Sequence, residues 1–232
     1  INYMAFGGGM IASGVADTPV ITTPSVADYA GGMLAAVAIL AALNRRAHDG
    51  KGAYVDIAMA EAVLGWLSID LTSALRPGFE PKLTVNAYNG GMACYQVYRT
   101  ADEKFVTLGI IEEKFWRNFC DAIGREDWKA RQWEKLPQHG LIAELASLFA
   151  TKTRAEWETI LDPVETCFHA VLDFTELASH PQAAARNLVF TQRGDDPYAE
   201  VLNPMRMDGE APKPRPPMRE TLLADALTAW KH

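Results

Sequence analysis

The feature that most constrains the fold is segment 24–32, Pro-Ser-Val-Ala-Asp-Tyr-Ala-Gly-Gly, which leads directly into an apolar run. Every residue from 30 to 43 is Ala, Gly, Met, Leu, Val or Ile. This run is shorter than the roughly 20 residues that a membrane-spanning helix needs, so it predicts a helix buried in a protein core. We expect the helix over 26–46, before the terminating Gly50.

Asp28 lies at the start of this predicted helix. Free backbone N–H groups and the helix dipole favour a negative charge at that place. Position alone favours a capping role for Asp28. A catalytic carboxylate held at the entrance of a buried helix is the alternative.

Composition and charge narrow the class of protein. The 232 residues are 49% hydrophobic and 22% charged, which is ordinary for a soluble globular protein. A net charge of −7 argues against a nucleic-acid backbone as the main partner, although a local basic cluster could still hold an anion. The three cysteines are far apart, and no histidine pair has metal-ligand spacing. We therefore expect no disulfide framework, no metal site and a reducing, cytoplasmic setting.

The order of the predicted elements indicates a small α+β domain inserted between two parts of a larger one. We assign 1–76 to the larger domain, 77–92 to a linker rich in Pro, Gly and Asn, 93–180 to the small domain, and 181–232 to the return into the larger domain. The predicted helices cover 26–46, 60–74, 113–123, 140–150, 154–161 (capped by Thr153), 182–186 and 219–230. The predicted strands cover 53–58, 93–99, 104–110, 167–172 and 188–192.

A second candidate carboxylate, Glu112, directly follows the apolar strand predicted over 104–110. We expect its side chain to be partly withdrawn from water, which suits an acid–base role. The neighbouring Glu113 fits better as a charge at a helix start. The glycine run 7–9 fits a simple turn as well as it fits a loop that approaches a ligand.

Several segments together resemble one enzyme family. Segment 23–32 resembles its active-site Asp loop, and stretch 41–62, from Ala-Ala-Leu-Asn-Arg-Arg to Val-Asp-Ile-Ala-Met-Ala-Glu-Ala, resembles its signature. Segments 95–106, 171–174 and 180–190 are also similar. By order and spacing, nearly the whole chain resembles the family III CoA-transferases, or CaiB/BaiF family, and within it the α-methylacyl-CoA racemase subgroup.

The racemase resemblance rests on two motifs. Segment 1–3, Ile-Asn-Tyr, resembles the end of a Gly-His-Asp-Ile-Asn-Tyr motif whose acid/base His would lie two residues before Ile1. Segment 109–112 resembles a motif whose Glu supports the active site, although Glu113 stands where racemases usually have Pro. The resemblance implies that Asp28 and that His act on opposite faces of a 2-methylacyl-CoA thioester, with Glu112 orienting the His.

Two alternatives remain open. In a CoA-transferase, Asp28 would form a mixed anhydride with the acyl group, and segment 7–9 or 89–91 could shield it from water. In a CoA-binding fragment without activity, the chain would lack most of the nucleotide site, because the family's CoA-binding residues lie mostly upstream of Ile1.

The resemblance also carries expectations about fold and partners. It implies an α/β fold with a Rossmann-like large domain, split and incomplete here, and an inserted small domain. It implies an interlocked homodimer that takes acyl-CoA as substrate and has no permanently bound cofactor. Nucleic acids and membranes are not expected as partners.

Overall fold

The computed structural model describes residues 1–14, 18–78, 87–192, 198–211, 213–215 and 222. The chain divides into two compact units, Ile1–Val171 and Leu172–His232. The domain boundaries expected from the sequence stay a prediction. Apart from Leu222, the helix predicted over 219–230 lies outside the described residues.

The first unit begins with five helices. They are α1 (Asn2–Phe6), α2 (Gly9–Ala12), α3 (Val26–Asp49), α4 (Met59–Trp66) and α5 (Ser68–Ala74). Helix α3 ends at Gly50, whose φ of 69° is the left-handed conformation that glycine adopts at helix ends. The single helix predicted over 60–74 is divided in two at Leu67.

Helix α3 is much less buried than the sequence suggested. Its buried residues are Ala27, Ala30 and Gly31, all in the first two turns. Further along, Val37 and Leu40 are 62% and 66% exposed. The expectation of a buried core helix is therefore wrong for the part of the chain that the structure describes.

The helix predicted over 26–46 forms and runs three residues further, to Asp49. With 24 residues, α3 is long and apolar enough to cross a membrane by length and composition alone. The core helix of a soluble protein meets the same criterion.

The strand predicted over 53–58 does not form. Residues 50–58 have no regular secondary structure, and Tyr54 is 93% exposed. A strand is stable only when its backbone N–H and C=O groups pair with a neighbouring strand. None of the described segments pairs with these residues. The alternating pattern indicates a segment that could pair as a β-strand, but it does not indicate which segment would be its partner.

A three-stranded antiparallel sheet forms the middle of the first unit. Its strands β1 (Tyr95–Arg99), β2 (Phe105–Gly109) and β3 (Phe168–Ala170) lie in the order β1-β2-β3. Tyr98 pairs with Val106, and Leu108 pairs with Phe168, so large apolar side chains alternate onto one buried face. The predicted hairpin and the third strand are confirmed.

Helices cover the buried face of this sheet. They are α6 (Glu113–Ala122), a 3₁₀ helix (Glu126–Arg131), α7 (His139–Phe149) and α8 (Arg154–Leu161). Thr153 caps α8 in a capping box with Glu156, as the sequence predicted. In the core between them, the ring of Phe149 stacks 5.1 Å from Tyr98 and meets Trp157 edge-on at 5.0 Å.

The second unit is small. It contains α9 (Phe174–Ser179), α10 (Pro181–Ala185) and an antiparallel pair of strands, β4 (Val189–Gln192) and β5 (Tyr198–Val201). The predicted helix at 182–186 and strand at 188–192 are confirmed, whereas α9 and β5 were not predicted. The Asp173 carboxylate caps α9. It accepts hydrogen bonds from the Thr175 hydroxyl and from the backbone N–H groups of Thr175 and Glu176, and these bonds lower the pKa of the Asp173 carboxyl.

The described residues thus form a mixed helix-and-sheet protein. Both sheets are antiparallel within the described ranges. The Rossmann-like large domain and the interlocked dimer stay predictions.

Two adjacent glycines of α3 provide a test of its packing. A Cβ on Gly31 would lie 2.8 Å from Cγ of Met59 in α4, whereas a Cβ on Gly32 would have no neighbour within 4 Å. We expect Gly31→Ala to lower stability by about 1–3 kcal/mol through overpacking. Gly32→Ala should raise stability by up to about 1 kcal/mol through helix propensity. Thermal unfolding of the two variants measures the difference, and equal melting temperatures would contradict the α3–α4 contact.

Candidate active site

Asp28 is the third residue of α3 and lies in its first turn. The N-cap residue is Ser25. The Ser25 hydroxyl donates a hydrogen bond to the Asp28 carboxylate. It makes no hydrogen bond to the free backbone N–H groups at the helix start. The capping role that position favoured for Asp28 is therefore wrong, and its carboxylate is available for other contacts.

The Asp28 side chain lies at one end of a shallow cleft of about 390 Å³, which runs along one face of α3 and is open to solvent. The cleft is lined by Asp28, Tyr29, Gly32, Met33 and Ala36. Apart from Asp28, this lining is almost entirely apolar. The carboxylate lies near the positive end of the helix dipole. A carboxylate in this position can accept a proton from a bound molecule or attack a carbonyl carbon.

The N-terminal end of the described chain reaches the same helix start. Ile1 and Ser25 line a small cavity of about 160 Å³ together with Met4, Met10, Ile21 and Thr22. The Ile-Asn-Tyr segment, which resembles the end of the racemase motif, thus lies beside the residue that hydrogen-bonds Asp28.

Glu112 occupies the N-cap position of α6. Its backbone is extended, with φ −73° and ψ 134°, and its carbonyl accepts hydrogen bonds from the N–H groups of Phe115 and Trp116 at 3.1 and 3.2 Å. Its side chain is exposed and makes no cap hydrogen bond. The expected partial withdrawal from water is wrong, because the buried run ends at Ile110 and the chain turns outward there.

The two candidate carboxylates are not joined in one site by the described chain. Glu112 is not among the described residues that line the cavities at Asp28 and Ser25. The catalytic roles of Asp28 and Glu112 stay predictions.

The glycine run 7–9 is explained by packing. A Cβ on Gly7 would lie 2.8 Å from Cβ of Val63 and 2.9 Å from the carbonyl oxygen of Ala60. The turn between α1 and α2 therefore packs its backbone directly against α4. Of the two interpretations of this run, the structure favours a packed turn.

The second glycine segment, 89–91, is held by hydrogen bonds. The Gly90 carbonyl accepts from the Gln96 side chain at 3.1 Å, and the Gly91 carbonyl accepts from the Gln138 N–H at 2.9 Å. Neither glycine lines the cleft at Asp28. A shielding role at this carboxylate has no support from their position in the described chain.

A larger cavity, of about 730 Å³, was not foreseen from the sequence. Its polar side chains Gln96 and Thr107 already donate to the carbonyls of Gly90 and His169. No charged side chain lies among the described residues that line it, which are Ala12, Ser13, Gly14, Tyr88, Asn89, Gly90, Tyr95, Gln96, Val97, Thr107, Leu108, Gly109 and Cys167.

Two of the three cysteines are unsuited to nucleophilic chemistry. Burial raises the pKa of the Cys94 thiol to about 11 and that of the Cys120 thiol to about 12. The reactive thiolate form of either side chain is therefore scarce near neutral pH. Within the described ranges, no group of three or more His, Cys, Asp or Glu side chains is arranged to hold a metal ion.

Comparison with known proteins identifies the family. The sequence profile of CoA-transferase family III matches residues 1–220, which is nearly the whole chain. The chain belongs to CoA-transferase family III.

Individual relatives of this family III chain differ in activity. It is 32% identical over 200 residues to the α-methylacyl-CoA racemase of Homo sapiens, covering 84% of this chain and 52% of that protein. It is 27% identical over 221 residues to the acetyl-CoA:oxalate CoA-transferase of Acetobacter aceti, covering 91% and 56%. The chain thus spans about half the length of these relatives.

A solved structure shares the fold of this family III chain. The crystal structure of a CAIB/BAIF family protein from Brucella suis superposes with a TM-score of 0.74 at 21% identity. The match covers 98% of this chain and 61% of that protein.

Proposed function

We propose that the protein containing this chain acts on acyl-CoA thioesters and epimerises 2-methylacyl-CoA substrates. The observation that carries the proposal is the placement of Asp28. Its carboxylate lies in the first turn of α3, bonded to one hydroxyl and open to an apolar cleft. The identity to a racemase and the position of Ile1 beside Ser25 support it further.

Epimerisation requires a base and an acid on opposite faces of the α-carbon. In the proposed reaction, the Asp28 carboxylate removes the α-proton from one face and leaves an enolate. A second group returns a proton to the other face. The resemblance assigns that group to a His two residues before Ile1, and the cavity shared by Ile1 and Ser25 would bring this stretch of chain to the start of α3.

The enolate oxygen needs hydrogen-bond donors. The first N–H groups of a helix have no partner within the helix, and the Ser25 side chain does not cap those of α3. In the proposal these N–H groups stabilise the developing negative charge on the thioester oxygen. The apolar lining along Tyr29 and Met33 suits the acyl chain.

Glu112 has a supporting role in this proposal and orients the acid/base on the face opposite Asp28. Since the described chain does not bring Glu112 to the Asp28 cleft, we propose that a second copy supplies it, in an interlocked homodimer. We also propose a cytoplasmic location, with acyl-CoA as substrate and no permanently bound cofactor.

CoA transfer is the second candidate function. Asp28 would attack the thioester carbonyl, forming an acyl–aspartyl anhydride and releasing the CoA thiolate. The thiolate would attack the aspartyl carbonyl carbon of this anhydride, releasing the first carboxylic acid and leaving an aspartyl-CoA thioester. The second acid would attack that thioester to form a new anhydride and free the thiolate, which would then attack the acyl carbon of the second acid and regenerate the Asp28 carboxylate. The similarity to an acetyl-CoA:oxalate CoA-transferase supports this candidate. A third possibility is that the chain alone binds CoA without activity.

Deuterium exchange separates these functions. We expect the complete gene product, given a 2-methylacyl-CoA in heavy water without an acceptor acid, to incorporate deuterium at the α-carbon with loss of stereochemistry. Asp28→Asn should lower this exchange by at least ~10²-fold, because an amide cannot act as the base. Mass spectrometry and chiral analysis of the product measure both effects. No exchange in the wild type, with CoA transfer once an acid is added, would favour the transferase instead.

Two adjacent glutamates provide a test of the supporting role. We expect Glu112→Gln to lower kcat for exchange about tenfold or more, because an acid/base that is poorly oriented loses much of its effect. Glu113→Gln is the matched control: Glu113 is also exposed and lies within 3.6 Å of the Arg117 guanidinium at the surface of α6. Equal rates for the two variants would exclude a special role for Glu112.

A further inference from the structure

Two buried glutamines connect the backbone around Glu112 to the rest of the small core. Gln132 follows the 3₁₀ helix and Gln138 precedes α7, and they are only 2% and 3% exposed. A buried amide is costly unless its polar atoms are hydrogen-bonded. The hydrogen bonds of these two side chains therefore explain how the core accommodates them.

Gln132 binds the backbone immediately before Glu112. Its Nε2 donates to the carbonyl oxygens of Ile110 at 3.3 Å and of Ile111 at 2.9 Å. Because both partners are acceptors, only the amino end of the amide can face them, which settles its orientation. Pairing between β1 and β2 ends at Gly109, so these two carbonyls lie beyond the sheet.

Gln138 in turn holds the backbone of Gln132. Its Nε2 donates to the carbonyl oxygens of Gln132 at 2.9 Å and of Glu134 at 3.0 Å. Its Oε1 accepts from the N–H of Ala93 at 2.9 Å. The turn before α7 is thereby tied to the segment that leads into β1.

The direction in which Glu112 points depends on this backbone. The Glu112 side chain makes no cap hydrogen bond, so it does not fix its own position. On one side the carbonyls of Ile110 and Ile111 are held by Gln132, and on the other the Glu112 carbonyl accepts from the first turn of α6. Removing the Gln132 bonds frees the Ile111 carbonyl, directly before Glu112, while the Ile110 N–H still donates to the Cys94 carbonyl at 2.8 Å.

We propose that Gln132 is a positioning residue for Glu112, and that Gln138 keeps Gln132 in place for it. This inference rests on the proposed function, because it gives Glu112 a role in turnover. It extends that function by naming the groups that set the direction of the Glu112 side chain.

The environment of the Gln132 Oε1 atom favours a positioning role for this residue over a purely stabilising one. This atom has no hydrogen-bond partner among the described residues. An unpaired buried oxygen costs stability. The Nε2 atom, which binds the carbonyls of Ile110 and Ile111, is the part of the side chain with an evident use: it holds the backbone before Glu112.

The test uses Gln132→Met in the complete gene product, since Met has a similar length and no donor. Trp157→Phe is the matched control: it removes a buried side-chain donor to the Phe149 carbonyl, at 2.9 Å in the same core, and leaves residues 110–112 untouched. We expect Gln132→Met to lower kcat for α-proton exchange about tenfold with KM nearly unchanged, because small displacements of acid–base groups are costly. Trp157→Phe should change kcat less than about twofold at a temperature where both variants are folded, because it removes no interaction with the backbone at 110–112.

A double variant distinguishes positioning from general structural support. If Gln132 acts through Glu112, adding Gln132→Met to Glu112→Gln lowers kcat no further than Glu112→Gln alone. Independent, multiplying losses would overturn the proposal, as would an equal loss in Trp157→Phe.

Hydrogen exchange gives a readout that does not depend on turnover. The amides of Phe115 and Trp116 donate to the Glu112 carbonyl, so a loosened turn should exchange them faster in Gln132→Met and not in Trp157→Phe. Unchanged protection, in a protein where Glu112→Gln lowers turnover, overturns the positioning role alone. If Glu112→Gln leaves turnover unchanged, the catalytic role of Glu112 and the positioning role both fail.

Discussion

The packing of Phe149 between the sheet and α8 is the interaction on which the small core depends. Its ring stacks on Tyr98 of β1 and meets Trp157 of α8, so it joins the sheet to the helical layer. With the sheet face covered in this way, the carbonyls beyond the end of β2 are enclosed and need partners from inside the protein. Gln132 supplies them. The backbone before Glu112 is thus held from inside the core by Gln132.

The Asp28 region follows a different principle. Here the first turn of α3 places the Asp28 carboxylate. Most of the helix after that turn is exposed in the described chain. Buried small residues, Ala27, Ala30 and Gly31, allow α3 to approach Met59 of α4 and fix the direction of its first turns. The long apolar remainder of α3 is exposed in the described chain, which spans about half of its relatives' length. The Asp28 carboxylate is therefore held by local contacts.

Local sequence signals predicted local structure well and failed where a distant partner was needed. Thr153 and Glu156 form the expected capping box because both partners lie within one helical turn. The hairpin of β1 and β2 also formed, since its strands are joined by a short turn. The pattern at 53–58 is equally regular, yet no described segment pairs with it. Exposure of Glu112 was misjudged for a similar reason: the pattern shows a buried strand, but not where the chain leaves the core.

The sequence by itself determined the family, the candidate carboxylate Asp28 and most helices and strands of the small core, because these depend on residue order over short distances. Only the tertiary structure decided that Ser25 rather than Asp28 occupies the helix cap, and that Gly7 packs against α4. It alone placed Gln132 against the carbonyls of Ile110 and Ile111. Two glutamines in a polar loop carry no sequence pattern, since their partners lie some 20 and 45 residues away along the chain. Such hydrogen bonds exist only once the chain has closed its core.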